Sequence, residues 1–204
     1  MKQIIIAVVL AVAVYLGFSY VNANKNAEVQ EELVTEEMNT EVIAEGEFSL
    51  NKEASYLNWT GKRIGATHEG SFGIQAASFN EDFTGTMVID MASLTTDSDI
   101  LINHLKGEDF FDVATYPTAT FVATSYTEGM LNGTLTVRGT SKELSVPVTA
   151  TLEGETMTLN ATFGLDRTQW GITFRSSNFF ADLGEAAIDD TVNVDARLVL
   201  ERNG

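Results

Sequence analysis

Hydrophobic and polar residues alternate along most of the chain after Phe48. In the last such run, Val192, Val194 and Ala196 alternate with polar or charged neighbours. A period of two places successive side chains on opposite faces, so each run is typical of a strand with one buried face. The pattern predicts about eight strands, over residues 55–64, 68–78, 83–91, 118–126, 131–137, 144–152, 157–165 and 192–200.

Three segments connect these strands in a recognisable way. Residues 138–142 (RGTSK) form a compact turn that predicts a hairpin between its flanking strands. Residues 97–106 carry grouped apolar residues after a cap at Asp97 or Ser98, which predicts a short helix. Residues 175–184 group Phe179, Phe180 and Leu183 and predict a second short helix. Both helices are expected to cap an end of the sheet.

An all-β fold with many alternating strands has edges that must be protected. Closing the sheet into an antiparallel barrel removes those edges, so we expect an eight-stranded barrel with one or two short capping helices. An eight-stranded barrel is either filled by its own side chains or holds one small ligand.

The sizes of the inward-facing residues favour a hollow barrel. Several predicted inward positions are small, and interspersed large apolar residues would line a tunnel between them. The alternative is a solid core in which small residues face large ones as the barrel tapers. The small inward positions are Gly70, Ala76, Ala119, Ala123, Gly133, Ala150, Ala161 and Ala196.

Two polar residues share the inward register. His68 and Arg167 each lie at a strand end, which predicts a position at the barrel mouth. There they could hold a polar headgroup by hydrogen bonding. The alternative is that neighbouring carboxylates such as Glu69 or Asp166 satisfy them.

The N-terminus predicts export. Lys2 precedes an apolar run from Ile4 to Val21, so residues 1–23 are either a signal peptide cleaved after Ala23 or an uncleaved membrane anchor. Residues 24–47 are rich in glutamate and predict a disordered acidic linker, serving as a spacer or left as a plain tail. Residues 48–204 then form the barrel domain, on the periplasmic or exoplasmic side of the cytoplasmic membrane.

Composition excludes several function classes. The net charge of −17 disfavours nucleic-acid binding. Cysteine is absent and only two histidines occur, so neither a disulfide nor a thiolate metal site can form and no metal site is expected. No nucleophile motif or phosphate-binding loop appears either, and we expect no enzyme.

Several motifs resemble one known family. The run GEDFFDVATYP at 107–117 with TATF at 118–121 resembles a signature of the YceI-like, lipid/polyisoprenoid-binding family. Residues 132–140, 166–171 and 67–70 are similar to further family motifs, in the family's order. The resemblance implies a lipocalin-like barrel enclosing a long isoprenoid, usually in the periplasm. It also implies that Phe110 and Phe111 gate one end of the tunnel.

These observations lead to two hypotheses of function. The first is non-catalytic binding, carriage or sequestration of an apolar amphiphile such as a polyprenyl chain or quinone, with no other cofactor. The second is a stress-related or protein-interaction module with a solid barrel and no ligand. The membrane would be a partner through an uncleaved N-terminus, and a homodimer is compatible with the sequence. Predicted ligand-binding residues are His68, Phe72, Ile74, Met87, Ile89, Phe110, Phe111, Phe121, Leu135, Val148, Leu159, Phe163, Arg167, Trp170, Val194 and Leu198.

Overall fold

The computed structural model describes residues 46–204, so the predicted N-terminal segment 1–23 and residues 24–45 of the predicted linker lie outside the described residues. The described part is built of antiparallel strands and one α-helix. The strands are β1 Phe48–Leu50, β2 Tyr56–Arg63, β3 Ala66–Phe79, β4 Gly85–Asp90, β5 Thr118–Thr127, β6 Met130–Val137, β7 Thr140–Glu153, β8 Thr156–Asp166 and β9 Thr191–Arg202; the helix is α1 Asp99–Lys106.

The sheet closes into a barrel, as predicted. Its strands follow the order β3-β2-β9-β8-β7-β6-β5-β4, and β4 pairs back with β3. The short β1 pairs with both β3 and β9, the same neighbours as β2. Strands β1 and β2 therefore occupy one position in the barrel, interrupted by residues 51–55, and the barrel has eight strand positions.

The predicted hairpin between β6 and β7 is confirmed, with a shorter turn than predicted. Arg138 and Gly139 alone join the strands, and both have positive φ, at 49° and 68°. Two consecutive left-handed residues are typical of a type I′ turn, whose twist matches that of the flanking strands. Glycine adopts this conformation without strain, which explains its place in the second position.

A bulge in β3 corrects one predicted inward residue. The β3–β4 register shifts between Ile74 and Ala76, which moves the following residues to the opposite face. Ala77 and Phe79 then join the core in place of Ala76. The alternation rule fails here because one extra residue inverts every later position in the strand.

The first predicted helix is confirmed and the second is wrong. Ser98 caps α1, its hydroxyl accepting a hydrogen bond from the Leu101 N–H. The 175–184 segment instead forms successive turns, followed by a 3-10 turn at Gly184–Ala186. Phe179 and Phe180 are exposed, so no apolar face holds that segment against the barrel as a helix.

Candidate ligand-binding cavity

The barrel interior holds a cavity of about 360 Å³. Its wall is mainly aliphatic and aromatic, and it extends to the barrel end that carries α1 and the two longest connections, 91–117 and 167–190. We call this end the mouth and the opposite end the closed end. A cavity of this size and lining is typical of a site for a small apolar molecule.

Small side chains line the middle of the cavity wall. Strand pairing places Leu57, Ala196, Ala161 and Val148 side by side across four neighbouring strands, with the two alanines adjacent. The next layer towards the mouth contains Trp59, Val194 and Phe163. Because neither alanine reaches far into the barrel, the space in front of them stays open.

The cavity is deep as well as apolar. On β8, the residues Leu159 and Leu165 mark the two limits of the cavity wall. The six residue steps between them correspond to roughly 20 Å along the strand, or about 15 Å along the axis of a barrel with the usual strand tilt. A cavity of that depth can hold a narrow, elongated ligand.

The closed end is filled by side chains. Phe48 pairs with Phe79, and Met157 pairs with Leu200; all four are almost completely buried. The Arg202 guanidinium lies 4.5 Å from the centre of the Phe48 ring and pairs with Glu47 and Glu81. These packed side chains close this end of the barrel.

The mouth is covered by α1 and its connection to β5. Leu101, His104 and Leu105 share the inner face of the helix and line the cavity. Phe110 follows and packs against His104, with ring centres 5.0 Å apart, and against Phe174 at 5.4 Å. The helix is fixed to the barrel by Lys106, whose Nζ donates to the Ala92 carbonyl at 2.6 Å.

Every predicted ligand-binding residue except Ile74 lines the cavity. Ile74 packs against the core immediately before the β3 bulge and does not contact the cavity. Phe111 lies at the cavity wall and meets Phe72 edge-to-face at 5.5 Å between ring centres. The binding role of these residues stays a prediction.

His68 lies at the mouth and is paired with a residue that the sequence did not suggest. Its Nδ1 is 3.1 Å from Asp97 Oδ1, in the segment before α1, rather than near Glu69 or Asp166. This hydrogen bond holds the pKa of the Asp97 carboxyl below its usual value, with a smaller contribution from the Thr96 hydroxyl. His68 still lines the cavity and is about one-third exposed.

Arg167 also lines the cavity, but its hydrogen bonds are largely used within the chain. Its guanidinium donates to the carbonyls of Ile172, Ile188 and Asp189 and to the Asp190 carboxylate. Burial lowers the pKa of the guanidinium, and the Asp190 carboxylate opposes that effect. Arg167 therefore holds the 171–190 connection to the barrel rather than presenting a free fork to a headgroup.

The two tryptophans of the chain differ in hydrogen bonding. Trp170 Nε1 donates to the Leu135 carbonyl at 3.0 Å. Trp59 Nε1 is buried and has no acceptor within residues 46–204. Its indole lies against Gly61 and Gly70, where a Cβ would come within 3.6 and 2.9 Å of the ring. An unpaired buried donor is uncommon and costs free energy.

Several residues that line the cavity were not predicted from the sequence. Trp59 alternates with Leu57 in the inward register of β2, and His104 is spaced with Leu101 and Leu105 on one helix face, so both signals were present in the sequence. Phe174 and Ile188 lie in the irregular connection between β8 and β9, where no periodicity indicates direction.

Two kinds of feature are absent from residues 46–204. No group of three or more histidine or acidic side chains there is arranged to hold a metal ion. None of the helices in that range has the length and apolar character needed to span a bilayer.

Known proteins share this barrel. The solved structure of BcnA from Burkholderia cenocepacia is 25% identical, with a TM-score of 0.60, covering 74% of this chain and 98% of that one. A polyisoprenoid binding domain from Saccharophagus degradans, implicated in plant cell wall breakdown, is 18% identical with a TM-score of 0.64, covering 77% and 99%. No curated protein matches the chain. Residues 48–200 match the YceI-like domain, and the chain therefore belongs to the YceI-like family.

Proposed function

We propose that the barrel binds a long apolar isoprenoid-type lipid, such as a polyprenyl chain or a quinone, and carries or sequesters it without catalysis. The observation that supports this most directly is the elongated apolar cavity, closed at one end and reaching the other. A solid scaffold, the second hypothesis, does not explain a cavity of this kind.

The energetics of apolar burial are sufficient for binding. Each methylene transferred from water into the cavity contributes about 0.8 kcal/mol, so affinity can arise with few polar contacts. The relative with a TM-score of 0.64 is described as a polyisoprenoid binding domain, which supports the same ligand class here. Specificity for one lipid would then depend on polar residues near the mouth, among them His68, which lines the cavity and is about one-third exposed.

The arrangement of polar groups favours binding over chemistry. His68 and His104 are each paired with one aspartate, at distances of 3.1 and 3.3 Å. The Thr96 hydroxyl adjoins the first pair but donates to Asp97, and among the hydrogen bonds of the described chain no serine or threonine hydroxyl is bonded to either imidazole, as an activated nucleophile would be. We therefore propose no reaction at this site.

Solvent extraction tests the proposed ligand class. The purified protein is extracted with organic solvent and the extract is examined by mass spectrometry, while the stripped protein is titrated with farnesol. We expect an isoprenoid lipid in the extract and saturable binding of farnesol. A lipid-free extract from a protein that also fails to bind farnesol would overturn the proposal.

Filling the cavity gives a second test. Ala161→Leu adds three carbons to the cavity wall where it is lined by small residues. We therefore expect farnesol binding to fall by about tenfold or more while the barrel remains folded. The matched control is Thr149→Leu on the exposed outer face of β7, which should bind normally. Gly133 is unsuitable for this purpose, because a Cβ there would lie 2.2 Å from the Val122 carbonyl oxygen.

We also propose that the protein acts outside the cytoplasm, on the basis of the apolar N-terminal run at 4–21. Cell fractionation followed by N-terminal sequencing tests this. A mature chain beginning at Asn24 indicates release, and an intact N-terminus in the membrane fraction indicates an anchor. Recovery of the intact chain in the cytoplasmic fraction would contradict the proposal.

A further inference from the structure

The most exposed large apolar residues of residues 46–204 all lie at the mouth. Ile64 is in the β2–β3 turn and is 60% exposed, and Ile100, in the first turn of α1, is 88% exposed. Phe179 and Phe180 follow, at 58% and 48%. We call these four residues the mouth rim. Other exposed large apolar residues in this range, such as Val122 at 41%, are less exposed and lie elsewhere.

The outward display of the two phenylalanines is built into the fold. The N–H groups of Phe179 and Phe180 both donate to the carbonyl of Ser176, at 3.1 and 2.9 Å. Ser176 is fully buried, and its hydroxyl donates to Asp190, which also accepts from Arg167. A buried polar network therefore fixes the turn that presents this apolar pair to the outside.

Ile100 is displayed in a similar way. The opposite face of α1 carries Leu101 and Leu105, which line the cavity, and the helix is short. Because the inner face is held by the barrel, the outer face is fixed as well. An isoleucine at the most exposed point of a cavity cover has no packing role within residues 46–204.

The cations near the rim suit a lipid headgroup region. Lys62, Arg63 and Arg175 make no ion pair with any carboxylate of the described chain. Backbone contacts hold these three residues close together. Ile188 forms a β-bridge with Arg63, and the Ile188 N–H donates to the Arg175 carbonyl at 2.8 Å. The next residue, Asp189, donates its N–H to the Lys62 carbonyl at 2.9 Å. Long cationic side chains can place their charge at the headgroup level while their stems contact apolar groups.

The closed end is acidic and carries none of the four rim residues. Its turns carry Glu81, Asp82, Glu128 and Glu155, and β7 ends there at Glu153. Acidic residues also occur near the mouth, among them Asp99, Asp182 and Glu185, so attraction to anionic lipid cannot dominate there. Binding of this end to a lipid surface would therefore depend on insertion of the apolar rim side chains, with the three cations helping to orient the barrel.

We propose that the mouth rim docks on the surface of a lipid bilayer, so that the cavity faces the membrane. The choice of a bilayer rests on the proposed function, because a lipid of that class resides in membranes and the cavity extends to the mouth, while the opposite end is packed with side chains. A surface that exposes apolar side chains around such a mouth lets the lipid pass without entering water.

A position-specific label tests the orientation. The chain has no cysteine, so Ile100→Cys and Glu153→Cys each provide a unique labelling site, at the mouth and at the closed end. Each full-length variant carries an environment-sensitive fluorophore and is mixed with phosphatidylcholine vesicles. We expect a blue shift and protection from iodide quenching at position 100 and neither at position 153. Equal shifts at both positions, or no shift at position 100, would overturn the proposal.

A rim variant completes the test. Phe179→Ser combined with Phe180→Ser should weaken the vesicle response at position 100 by about tenfold, with unchanged thermal unfolding because both side chains are exposed. The same variant should bind farnesol from solution normally and take it up from vesicles more slowly. A blue shift that depends on protein concentration without vesicles would indicate a second copy of the chain as the occupant and overturn the proposal.

These measurements separate this inference from the proposed function. Farnesol binding without a vesicle response would contradict docking and leave lipid binding supported. A vesicle response from a protein that binds no isoprenoid would contradict lipid binding and leave docking supported.

Discussion

The two ends of the barrel use the same kind of residue for different purposes. At the closed end, Phe48 and Phe79 are buried against each other and seal the interior. At the mouth, Phe179 and Phe180 are held outward, and Phe110 packs with His104 and Phe174 over an open cavity. The difference arises from the connections, because short turns close one end and the two long connections cover the other.

The two ends are therefore expected to contribute to different properties, the closed end to folding stability and the mouth rim to binding. Residues at the closed end lose much surface to the core on folding and should account for much of the stability. Residues of the rim gain little from folding, and their identity is therefore open to selection for binding.

The largest expected effect is at the closed end. Phe79→Ala removes a fully buried ring and leaves a cavity, so the free energy of unfolding should fall by about 3–5 kcal/mol. Phe179→Ala at the mouth should change it by less than about 0.5 kcal/mol. Urea unfolding followed by circular dichroism measures both. Similar losses for the two variants would contradict the comparison.

The next effect concerns the guanidinium that organises the mouth. Arg167→Met removes the donor to three carbonyls and the cation that pairs with the Asp190 carboxylate, which keeps only its neutral donors Ser176 and Asn178, so we expect a loss of about 2–3 kcal/mol. Proteolysis should become faster within residues 171–190, which this side chain holds in place. Arg167→Lys is the control for charge; it should not restore stability, because an ammonium cannot reproduce the planar fork.

The two tryptophans give a smaller and directly matched pair. Trp170→Phe leaves the Leu135 carbonyl without its donor and should cost about 1–3 kcal/mol, in addition to the loss of ring volume. Trp59→Phe removes a donor that has no partner in the described structure, and so should cost less. Thermal unfolding of both variants measures the difference. A larger loss for Trp59→Phe would show that its N–H is satisfied in the free protein.

The smallest effect is a titration at the mouth. Removing the imidazole in His68→Ala should raise the pKa of Asp97 towards its usual 3.8, with the Thr96 hydroxyl bond keeping it below that value. Because the folded-state pKa of Asp97 is lowered, the pair stabilises the fold above the unfolded-state pKa, and this contribution is lost as the pH falls through the folded-state value. An NMR titration of the side-chain carboxyl measures the shift. Thr96→Ala should produce a smaller rise.

The sequence predicted most of the wall because local physics determines it. Alternation fixed which residues of β8 and β9 face inward, including Phe163, Val194 and Leu198. The cap at Ser98 and the turn at Arg138 and Gly139 follow from rules that act within a few residues. The family signature agreed with these patterns, and the family match and the shared barrel confirmed it.

Tertiary structure decided what periodicity does not encode. The β3 bulge inverted Ala76 and Ala77, because register depends on the partner strand as well as on the run itself. The partners of His68 and Arg167 lie 29 and 23 residues away, at Asp97 and Asp190. Backbone hydrogen bonds between the 95–97 segment and β3, and pairing of β8 with β9, bring them together. The outward turn at Phe179 and Phe180 depends on the buried Ser176, and no local pattern distinguishes it from a helix. Local patterns thus determined the wall of the barrel, and long-range contacts determined its mouth.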